Sequence, residues 1–524
     1  MIKIFVLFLL INFCFALNIL IVSPAIGHSH VQFAGKIANV LIDGGHNVTI
    51  LEISFDPDVT EVGTERAHTI RYYSESVDYS GFLNLSCKSS VFTPSRKAAS
   101  DVPMVFEMYK KVCNALVNDN KFWEELNSTK WDIGMTEFVD NCPDGIFEVL
   151  KIGKVVMISA VTMFNPTYEA FGIPFIASFM PNMFLPFSDK MTWKQKLLNL
   201  YVNYKLNDMF TINSNAQTEM FRKKFDPNFE NLLKLRQRKA AITFINTNQF
   251  LDVPTLITNK IKYVGGMEVK NAAPINQRLM KIIESSKGFV ILSFGTFARS
   301  KSVPIQIRNA ISMAFKNFPE HTFFWKFDVE DDEIPEFLQN STNIYLEKWL
   351  PQHSMLNHPK CKGFISHAGY NSILEATLAA VPMILVPLFG DQPHNAAVVH
   401  QRGLGILLGR ENLHEVGITL ALKELLKEPQ SIYHKNAIEF SQKMKEANKI
   451  LSPEETVLKY TEYIYKYGNL PELNLASTEM TFVEFYMIDI FGIAFGILLI
   501  ALIVAFYLLR FFVRKFFVSK KKTE

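Results

Sequence analysis

Residues 364–397, FISHAGYNSILEATLAAVPMILVPLFGDQPHNAA, alternate short apolar runs with segments of helical spacing. The runs FIS and MILVP have the length and composition of buried parallel strands. A helix is predicted after each run, from about Tyr370 to Ala380 and from about His394 to Arg402. Strands that alternate with helices predict a parallel sheet covered by helices, and therefore an α/β fold.

The same alternation is found elsewhere in the chain. Near the start, Leu17 to Val22 (LNILIV) is a predicted strand, a helical pattern runs from Ala34 to Leu41, and Val48 to Leu51 begin another strand. A further series starts at Gly288 with FVILSFGT. The sequence therefore predicts two α/β domains. Their predicted boundaries are 17–265 and 288–480, with a linker at 266–287 where glycine, proline and polar residues interrupt the pattern.

Apolar segments mark both ends of the chain. Lys3 and the run Ile4 to Phe15 are typical of a secretory signal peptide that is cleaved after Ala16. Ile490 to Leu509 carries no charge and has the roughly 20 residues that a spanning helix needs. The sequence therefore predicts a signal peptide at 1–16, a transmembrane helix at 487–509 and a basic tail at 510–524.

The residues that flank the predicted span set its orientation. Acidic residues precede it, and the basic residues follow it, which places the tail in the cytosol and the body in the lumen. The last four residues, KKTE, resemble the dilysine signal that returns type I proteins to the endoplasmic reticulum. Four N-glycosylation sequons agree with a lumenal body. They are at Asn47, Asn84, Asn127 and Asn340.

Composition excludes several classes of protein. The formal charge is +3 from 54 basic and 51 acidic residues, and the body carries no long basic stripe, so nucleic acid is not an expected partner. No CxxC or Cys/His cluster predicts a metal site. Outside the signal peptide the cysteines allow one disulfide of unassigned pairing, and they are Cys87, Cys113, Cys142 and Cys361. The oligomeric state is left open.

The turn from His367 to Asn371 lies between a predicted strand and the N-terminus of a helix. Free backbone N–H groups there make an anion site, particularly for phosphate. Gly369 allows close approach of the backbone, and His367 and Asn371 add side-chain donors. Asn371 or Ser372 is expected to cap the helix. Glu375, one turn further on, can accept from ribose hydroxyls.

Polar and aromatic residues at three other strand ends complete the pattern. Asp391 and Gln392 offer an acceptor and a donor of the kind that sugar hydroxyls bind. Trp349 can stack on a base, with the Gln352 amide near its edge. The turn SFGT, which ends at Thr296, is a second glycine-containing turn after a strand.

In this order and spacing, the motifs W-L-P-Q, S-H-x-G-x-N-S-x-x-E and P-x-x-x-D-Q closely resemble the signature of the UDP-glycosyltransferases. The resemblance is greatest to the membrane-bound UDP-glucuronosyltransferases of the endoplasmic reticulum, which are detoxification enzymes. It implies a GT-B-like fold, in which two Rossmann-like domains face a cleft. It also implies transfer of glucuronic acid from UDP-glucuronate to a small lipophilic acceptor, with inversion and without metal or cofactor.

The resemblance assigns donor contacts position by position. Trp349 would stack on uracil, Gln352 would contact the uridine, and Glu375 would bind the ribose. Asp391 and Gln392 would hold the transferred sugar. The residues implied at the diphosphate are Thr296, His367, Gly369 and Asn371.

The resemblance also implies a catalytic base in the first β–α turn. Counting back from Gly45-His46 gives His30, with His28 as the local competitor. An imidazole suits general-base work near neutral pH. The family pairs this base with an aspartate, and the matching place here is occupied by Glu137, with Asp140 as a nearby alternative.

Some alternatives stay open. The segment LDVPTLITNKIKY before Val264 lacks the arginine that some family members carry there, so UDP-glucose is an alternative donor. A non-catalytic lumenal UDP-sugar-binding protein is the alternative of another class. A dehydrogenase is excluded because the glycines from Gly403 to Gly409 miss the G-x-G-x-x-G spacing. The aromatic and methionine-rich segment Pro174 to Lys205 is predicted to line an apolar acceptor pocket or to touch the membrane surface.

Overall fold

The computed structural model describes residues 16–80, 91–92, 102–268, 272–296, 302–328, 336–338 and 341–520. The chain up to Leu473 forms one compact unit, and the chain from Asn474 forms another. The first unit contains two parallel β-sheets, each with helices on its faces. Predicted features outside the described residues are the signal sequence before Ala16, Asn84, Cys87, Asn340 and the final KKTE.

The first sheet has seven parallel strands in the order β3-β2-β1-β4-β5-β6-β7. Its order reverses between β1 and β4, so their carboxyl ends form a switch point where open α/β sheets bind ligands. The strands are β1 Asn18–Ala25, β2 Asn47–Ser54, β3 His68–Tyr72, β4 Ile133–Glu137, β5 Val155–Ser159, β6 Ala240–Ile245 and β7 Ile261–Tyr263. The helices are α1 His28–Asp43, α2 Val102–Asn118, α3 Asn120–Asn127, α4 Cys142–Val149, α5 Asn165–Ala170, α6 Trp193–Lys224 and α7 Leu232–Lys239.

The second sheet has six parallel strands in the order β10-β9-β8-β11-β12-β13, with a switch point between β8 and β11. The strands are β8 Gly288–Ser293, β9 His321–Lys326, β10 Ile344–Glu347, β11 Cys361–Ser366, β12 Met383–Leu385 and β13 Gly405–Leu407. The helices are α8 Gln277–Ser285, α9 Ile305–Lys316, α10 Gln352–Leu356, α11 Tyr370–Leu378, α12 Gln392–Gln401, α13 Glu415–Leu425 and α14 Ile432–Ile450. Short 3-10 turns lie at Glu336–Leu338 and Arg410–Asn412.

The strand–helix–strand–helix order of the quoted stretch is found in the structure, with shifted helix ends. Helix α11 ends at Leu378, before the predicted Ala380, because Ala380 has a positive φ of 59° that cannot continue a helix. Helix α12 begins at Gln392, before the predicted His394, with proline in its first turn. Proline at this position has a φ angle that suits a helix start.

The end of the body differs from the predicted boundaries of the second domain. Helix α15 (Pro453–Tyr467) packs against the first domain instead. Its Val457 and Ile464 join the apolar cluster of β1 and α1, because they lie on one face of the helix. Conversely, Phe92 from the predicted first domain packs with the apolar core of the second. The chain therefore passes between the domains more often than the single linker at 266–287 implied.

A disulfide joins Cys113 and Cys142 and connects α2 to α4. Cys361 is buried and reduced. The first unit ends with a 3-10 turn at Pro471–Leu473, and the second unit contains a 3-10 turn at Ala476–Thr478 followed by α16 (Phe482–Phe485) and α17 (Ile488–Lys520). The part of α17 from Ile488 to Lys515 is long and apolar enough to cross a membrane. It is longer than the predicted span at 487–509.

Candidate active site

A cleft of about 720 Å³ lies where the carboxyl ends of the two sheets face each other. Strand ends and the turns after them supply its walls from both domains. Ten of the eleven predicted site residues line the cleft: His30, Thr296, Trp349, Gln352, His367, Gly369, Asn371, Glu375, Asp391 and Gln392. The eleventh, Glu137, contacts the cleft residue His30. One cavity therefore brings together residues that are up to 362 positions apart in the sequence, from 30 to 392.

His30 and Glu137 form a hydrogen-bonded pair at the switch point of the first sheet. His30 lies in the first turn of α1, and Glu137 is the last residue of β4, which pairs with β1. Nδ1 of His30 lies 3.0 and 2.9 Å from the two carboxylate oxygens of Glu137. The backbone N–H of Ala160 donates to the same carboxylate at 3.2 Å. These bonds leave Nε2 as the ring nitrogen that is available to the cleft.

The surroundings of His30 raise its pKa above the ordinary value of 6.5. Burial alone would lower the pKa, but the charge and hydrogen bond of Glu137 and the charge of Asp391 outweigh burial. Asp391 belongs to the second domain, so its influence on His30 places the two domains at one site. An imidazole that donates Nδ1–H to a carboxylate can accept a proton at Nε2.

The two competing residues have other partners. Nδ1 of His28 lies 2.8 Å from a carboxylate oxygen of Glu61. Asp140 accepts from the Gln217 amide at 2.6 Å, and burial raises its pKa to about 6. Among the described residues, these contacts therefore favour His30 over His28 as the candidate base, and Glu137 over Asp140 as its carboxylate partner.

The ring of His367 lies between two glycines from neighbouring strand ends. A Cβ atom at Gly295 would approach the ring to 2.8 Å, and one at Gly369 would collide with Nε2. Gly295 also has a φ of +82°, which favours glycine. Burial, together with the charge of Lys326, lowers the pKa of His367 to about 4. Near neutral pH, His367 is therefore a neutral imidazole that can donate one hydrogen bond.

The N-terminus of α11 faces the cleft next to this ring. Its N-cap residue is Gly369, without a side-chain cap, so the predicted capping by Asn371 or Ser372 is wrong. The oxygen of Asn371 instead accepts from the Asn246 amide of the first domain at 2.8 Å. The uncapped backbone N–H groups are thereby left for an anionic ligand.

At the other end of the cleft, Gln352 and Glu375 are bonded to each other. The Gln352 amide donates to a Glu375 oxygen at 2.8 Å. Trp349 is 59% exposed, and the ammonium of Lys326 lies 4.5 Å from the centre of its ring. The indole is thus a flat, accessible surface that already holds a cation on one side.

Asp391 and Gln392 begin α12 at the end of β12. Asp391 occupies the N-cap position without capping the helix, and it accepts from the Asn395 amide at 2.7 Å. Gln392 uses its oxygen to accept from the backbone N–H of Leu388 at 2.9 Å, which leaves its NH₂ group for a ligand. Burial raises the pKa of Asp391. Local hydrogen bonds therefore hold both side chains in place, and each side chain still has a polar atom that these bonds do not use.

One arm of the cleft is apolar. The predicted acceptor segment contributes Met183 and Phe184, and α2 contributes Phe106 and Tyr109. Tyr109 lies near Glu137 and Asp140, and burial raises its pKa well above 10. Tyr109 was not predicted as a site residue, because a tyrosine within an amphipathic helix has the pattern of a core residue. The other aromatic and aliphatic residues of the arm are Val102, Val105, Val139, Val161, Phe164, Leu206, Phe210 and Phe389.

A buried contact between the two domains was not predicted from the sequence either. Nε2 of His394 lies 3.8 Å from the Asp252 carboxylate, and Nδ1 lies 2.9 Å from the carbonyl of Phe187. His394 is on the first turn of α12, whereas Asp252 and Phe187 belong to the first domain. Hydrogen bonds and charge from His394 contribute to a lowered pKa of Asp252, although burial opposes this. A His and an Asp 142 positions apart give no local sequence signal.

Comparisons with known proteins agree with this architecture. A family model described as "UDP-glucoronosyl and UDP-glucosyl transferase" matches residues 18–523, so the chain belongs to the UDP-glycosyltransferase family. The Caenorhabditis elegans protein ugt-46, named as a UDP-glucuronosyltransferase, is 27% identical over 92% of this chain and 91% of its own length. UDP-glucuronosyltransferase 2B19 of Macaca fascicularis is 25% identical over 88% of each chain.

Solved structures show the same fold at low sequence identity. The glycosyltransferase of kitacinnamycin superposes with a TM-score of 0.60 at 14% identity, over 87% of this chain and all of its own. A Phytolacca americana enzyme, UGT2, solved with UDP-2-fluoro-glucose and pterostilbene, has a TM-score of 0.56 at 15% identity, over 86% of this chain and all of its own. The chain therefore has the GT-B fold, with two Rossmann-like domains and one apolar C-terminal helix.

Proposed function

We propose that this UDP-glycosyltransferase transfers glucuronic acid from UDP-glucuronate to a small lipophilic acceptor, with His30 as the general base. The observation that carries the proposal is the His30–Glu137 pair, which opens on a cleft that also contains Asp391 of the other domain. The names of the relatives support glucuronate as the sugar. The apolar arm beside His30 supports a lipophilic acceptor.

In the proposed reaction, the acceptor binds in the apolar arm with its hydroxyl at Nε2 of His30. The hydroxyl proton moves to Nε2, and Glu137 stabilises the imidazolium that forms. The acceptor oxygen bonds to the anomeric carbon while the bond from that carbon to the UDP oxygen breaks on the opposite face. The anomeric configuration therefore inverts. No metal or cofactor takes part in these steps.

The leaving group is proposed to be stabilised by the second domain. The N-terminus of α11 and the His367 ring line the cleft side by side, and preorganised donors stabilise developing negative charge. The contribution proposed for His367 is a hydrogen bond to a phosphate oxygen. Asp391 and Gln392 hold the sugar hydroxyls, and Trp349, Gln352 and Glu375 hold the uridine.

UDP-glucose remains the alternative donor, and one observation favours it. Among the described residues, no arginine lines the cleft, and the lysines that do are Lys36 and Lys326. Lys326 lies over Trp349, and the charge of Lys36 interacts with Glu375. Neither contact is with Asp391 or Gln392, where the sugar is proposed to bind. A glucuronate carboxylate would therefore lack an evident cationic partner there.

The test is a donor comparison in microsomes that contain the expressed protein. UDP-glucuronate and UDP-glucose are offered with a panel of phenols, and the His30→Ala variant is the control. We expect transfer from one donor, reduced about 10²- to 10⁴-fold in the variant. UDP binding is expected to be unchanged, because His30 is not among the proposed UDP contacts.

Equal turnover of the wild type and the variant would overturn the role of His30. UDP-sugar binding without transfer to any acceptor of a wide panel would instead indicate a non-catalytic binding protein. Transfer from UDP-glucose alone would correct the donor and leave the mechanism in place.

A further inference from the structure

The outer face of α6 is apolar where this helix is exposed to solvent. Over the first half of the helix, the exposed side chains repeat at intervals that place them on one stripe along its axis. Trp193 is 75% exposed and Tyr204 is 65% exposed. The α6 stripe consists of Trp193, Leu197, Leu200, Tyr201 and Tyr204.

The inner face of the same segment is polar. Asn199 is buried and donates to the carbonyls of Ala177 at 3.0 Å and Met180 at 2.7 Å. Asn203 is buried and accepts from the Asn165 amide at 2.6 Å. A helix on the surface of a water-soluble protein buries its apolar side and exposes its polar side. This segment does the reverse, so its exposed side suits an apolar environment rather than water.

Basic residues flank the α6 stripe. Helical spacing places Lys194 and Lys205 along one edge of the stripe and Lys196 along the other. No acidic residue occurs between Trp193 and Asp208. An apolar face that contains Trp and Tyr and has lysine flanks is typical of helices that lie on a lipid surface.

Charge also argues against a second copy of the chain as the occupant. A symmetric dimer through this face would set the same lysines of two copies near one another. Like charges without a partner oppose such contacts. Anionic lipid headgroups are complementary to the lysines, and the candidate span from Ile488 to Lys515 supplies a bilayer.

We propose that the α6 stripe rests on the surface of a lipid bilayer, with its aromatic rings among the headgroups and its lysines on anionic lipids. Further along α6, Leu206 and Phe210 line the apolar arm of the cleft. One helix therefore contacts both the lipid surface and the arm. An apolar acceptor that is dissolved in the bilayer is delivered beside the arm, without crossing bulk water.

The test uses the fluorescence of the full-length protein in liposomes that contain brominated phosphatidylcholine, which quenches nearby tryptophan. All five tryptophans, at 123, 131, 193, 325 and 349, lie outside the candidate span. We expect the brominated lipid to quench part of the emission of the wild type and no corresponding part of Trp193→Phe. Trp131→Phe is the matched control, because this half-buried indole donates to the Leu126 carbonyl at 3.0 Å. It should be quenched as the wild type is.

A second measurement addresses the lysines. Adding phosphatidylserine should increase the quenched fraction of the wild type, and it should not do so in the variant that combines Lys194→Glu, Lys196→Glu and Lys205→Glu. Trp193 emission that aqueous iodide quenches, and brominated lipid does not, would overturn the proposal. Efficient disulfide-linked dimers of Leu200→Cys in liposomes, without lipid quenching, would show that a second copy covers the stripe.

Discussion

The Glu137 carboxylate binds two groups at once, Nδ1 of His30 and the backbone N–H of Ala160. The second bond fixes the carboxylate at the end of β4, so its longer side chain still meets the imidazole. Replacement of the family's aspartate by glutamate therefore preserves a hydrogen-bonded pair. The charge of Glu137 also contributes to the raised pKa of His30.

Glu137→Gln should alter both the rate and its pH dependence. Loss of the negative charge lowers the pKa of His30, so the acidic limb of kcat/KM moves to lower pH, because the base is active only when neutral. The maximal rate should fall by about 10²-fold or more, since the imidazolium loses its stabilising partner. The check is a pH profile of kcat/KM, with Glu137→Asp as the charge-preserving control. An acidic limb that stays at the wild-type pH would contradict this role.

Gly369→Ala should weaken donor binding without unfolding the protein. The added methyl group collides with the His367 ring and displaces a donor from the expected diphosphate position. We expect the Kd for UDP to rise at least about tenfold, which corresponds to about 1.4 kcal/mol. Calorimetric titration with UDP measures this change. Gly153→Ala is the matched control, because nothing lies within 4 Å of the added atom, and it should bind UDP as the wild type does.

Site residues could be predicted from the sequence where they lie close together along the chain. The turn from His367 to Asn371 could be recognised because its residues are neighbours in the chain. The Asn246 amide that binds Asn371 is 125 positions away, and Lys326 reaches Trp349 from another strand. The first of these partners depends on how the two sheets face each other and the second on the order of strands within one sheet, and no local pattern reports either.

At the scale of elements, α12 is held by contacts on its first turn. Asn395 donates both to Asp391 and to the Ala368 carbonyl at 3.1 Å, so the start of α12 is tied to the turn before α11. His394 ties the same turn to the first domain. The position of the proposed sugar contacts relative to His30 therefore depends on α12 as a whole.

Removing the carboxylate that His394 faces should destabilise the protein. Asp252→Asn removes the buried carboxylate that the His394 imidazole faces, and losing an interaction with a buried charged group costs about 1.5–3 kcal/mol. Chemical denaturation of the detergent-solubilised chain measures the free energy of unfolding. The control is a double-mutant cycle with His394→Gln, in which the two effects should be less than additive. Additive effects would mean that the two side chains are not coupled.

Strands β1, β2, β8, β11 and β12 and helices α1, α11 and α12 could be predicted because their apolar periodicity is local. Two elements show the limit of that reasoning. The apolar face of α15 predicts burial but not that it packs on α1, more than 400 positions earlier. Apolar residues normally predict a buried face, but in the first half of α6 the side chain of Asn199 is inside, because its amide donates to backbone carbonyls of the preceding loop.

At the scale of the whole molecule, the predicted lumenal body has a direct test. Asn127 ends α3 and Asn47 begins β2, and both side chains are exposed. A lumenal protein of the endoplasmic reticulum should carry glycans that endoglycosidase H removes. Expressed in animal cells, the protein should shift in gel mobility after this treatment, and Asn127→Gln should shift by one glycan less. Absence of any shift would contradict a lumenal orientation.

The linker after β7 and the return of α15 to the first domain are two neighbouring crossings of the chain between the domains. The crossings touch, because the backbone N–H of Glu268 donates to the Glu454 carboxylate at 2.6 Å. A single tether permits twisting in any direction, whereas two adjacent tethers restrict rotation to an axis that runs through both. The domains are therefore expected to open and close about a hinge axis that passes through the two crossings. The side of the cleft opposite this axis opens most, and UDP is expected to leave there.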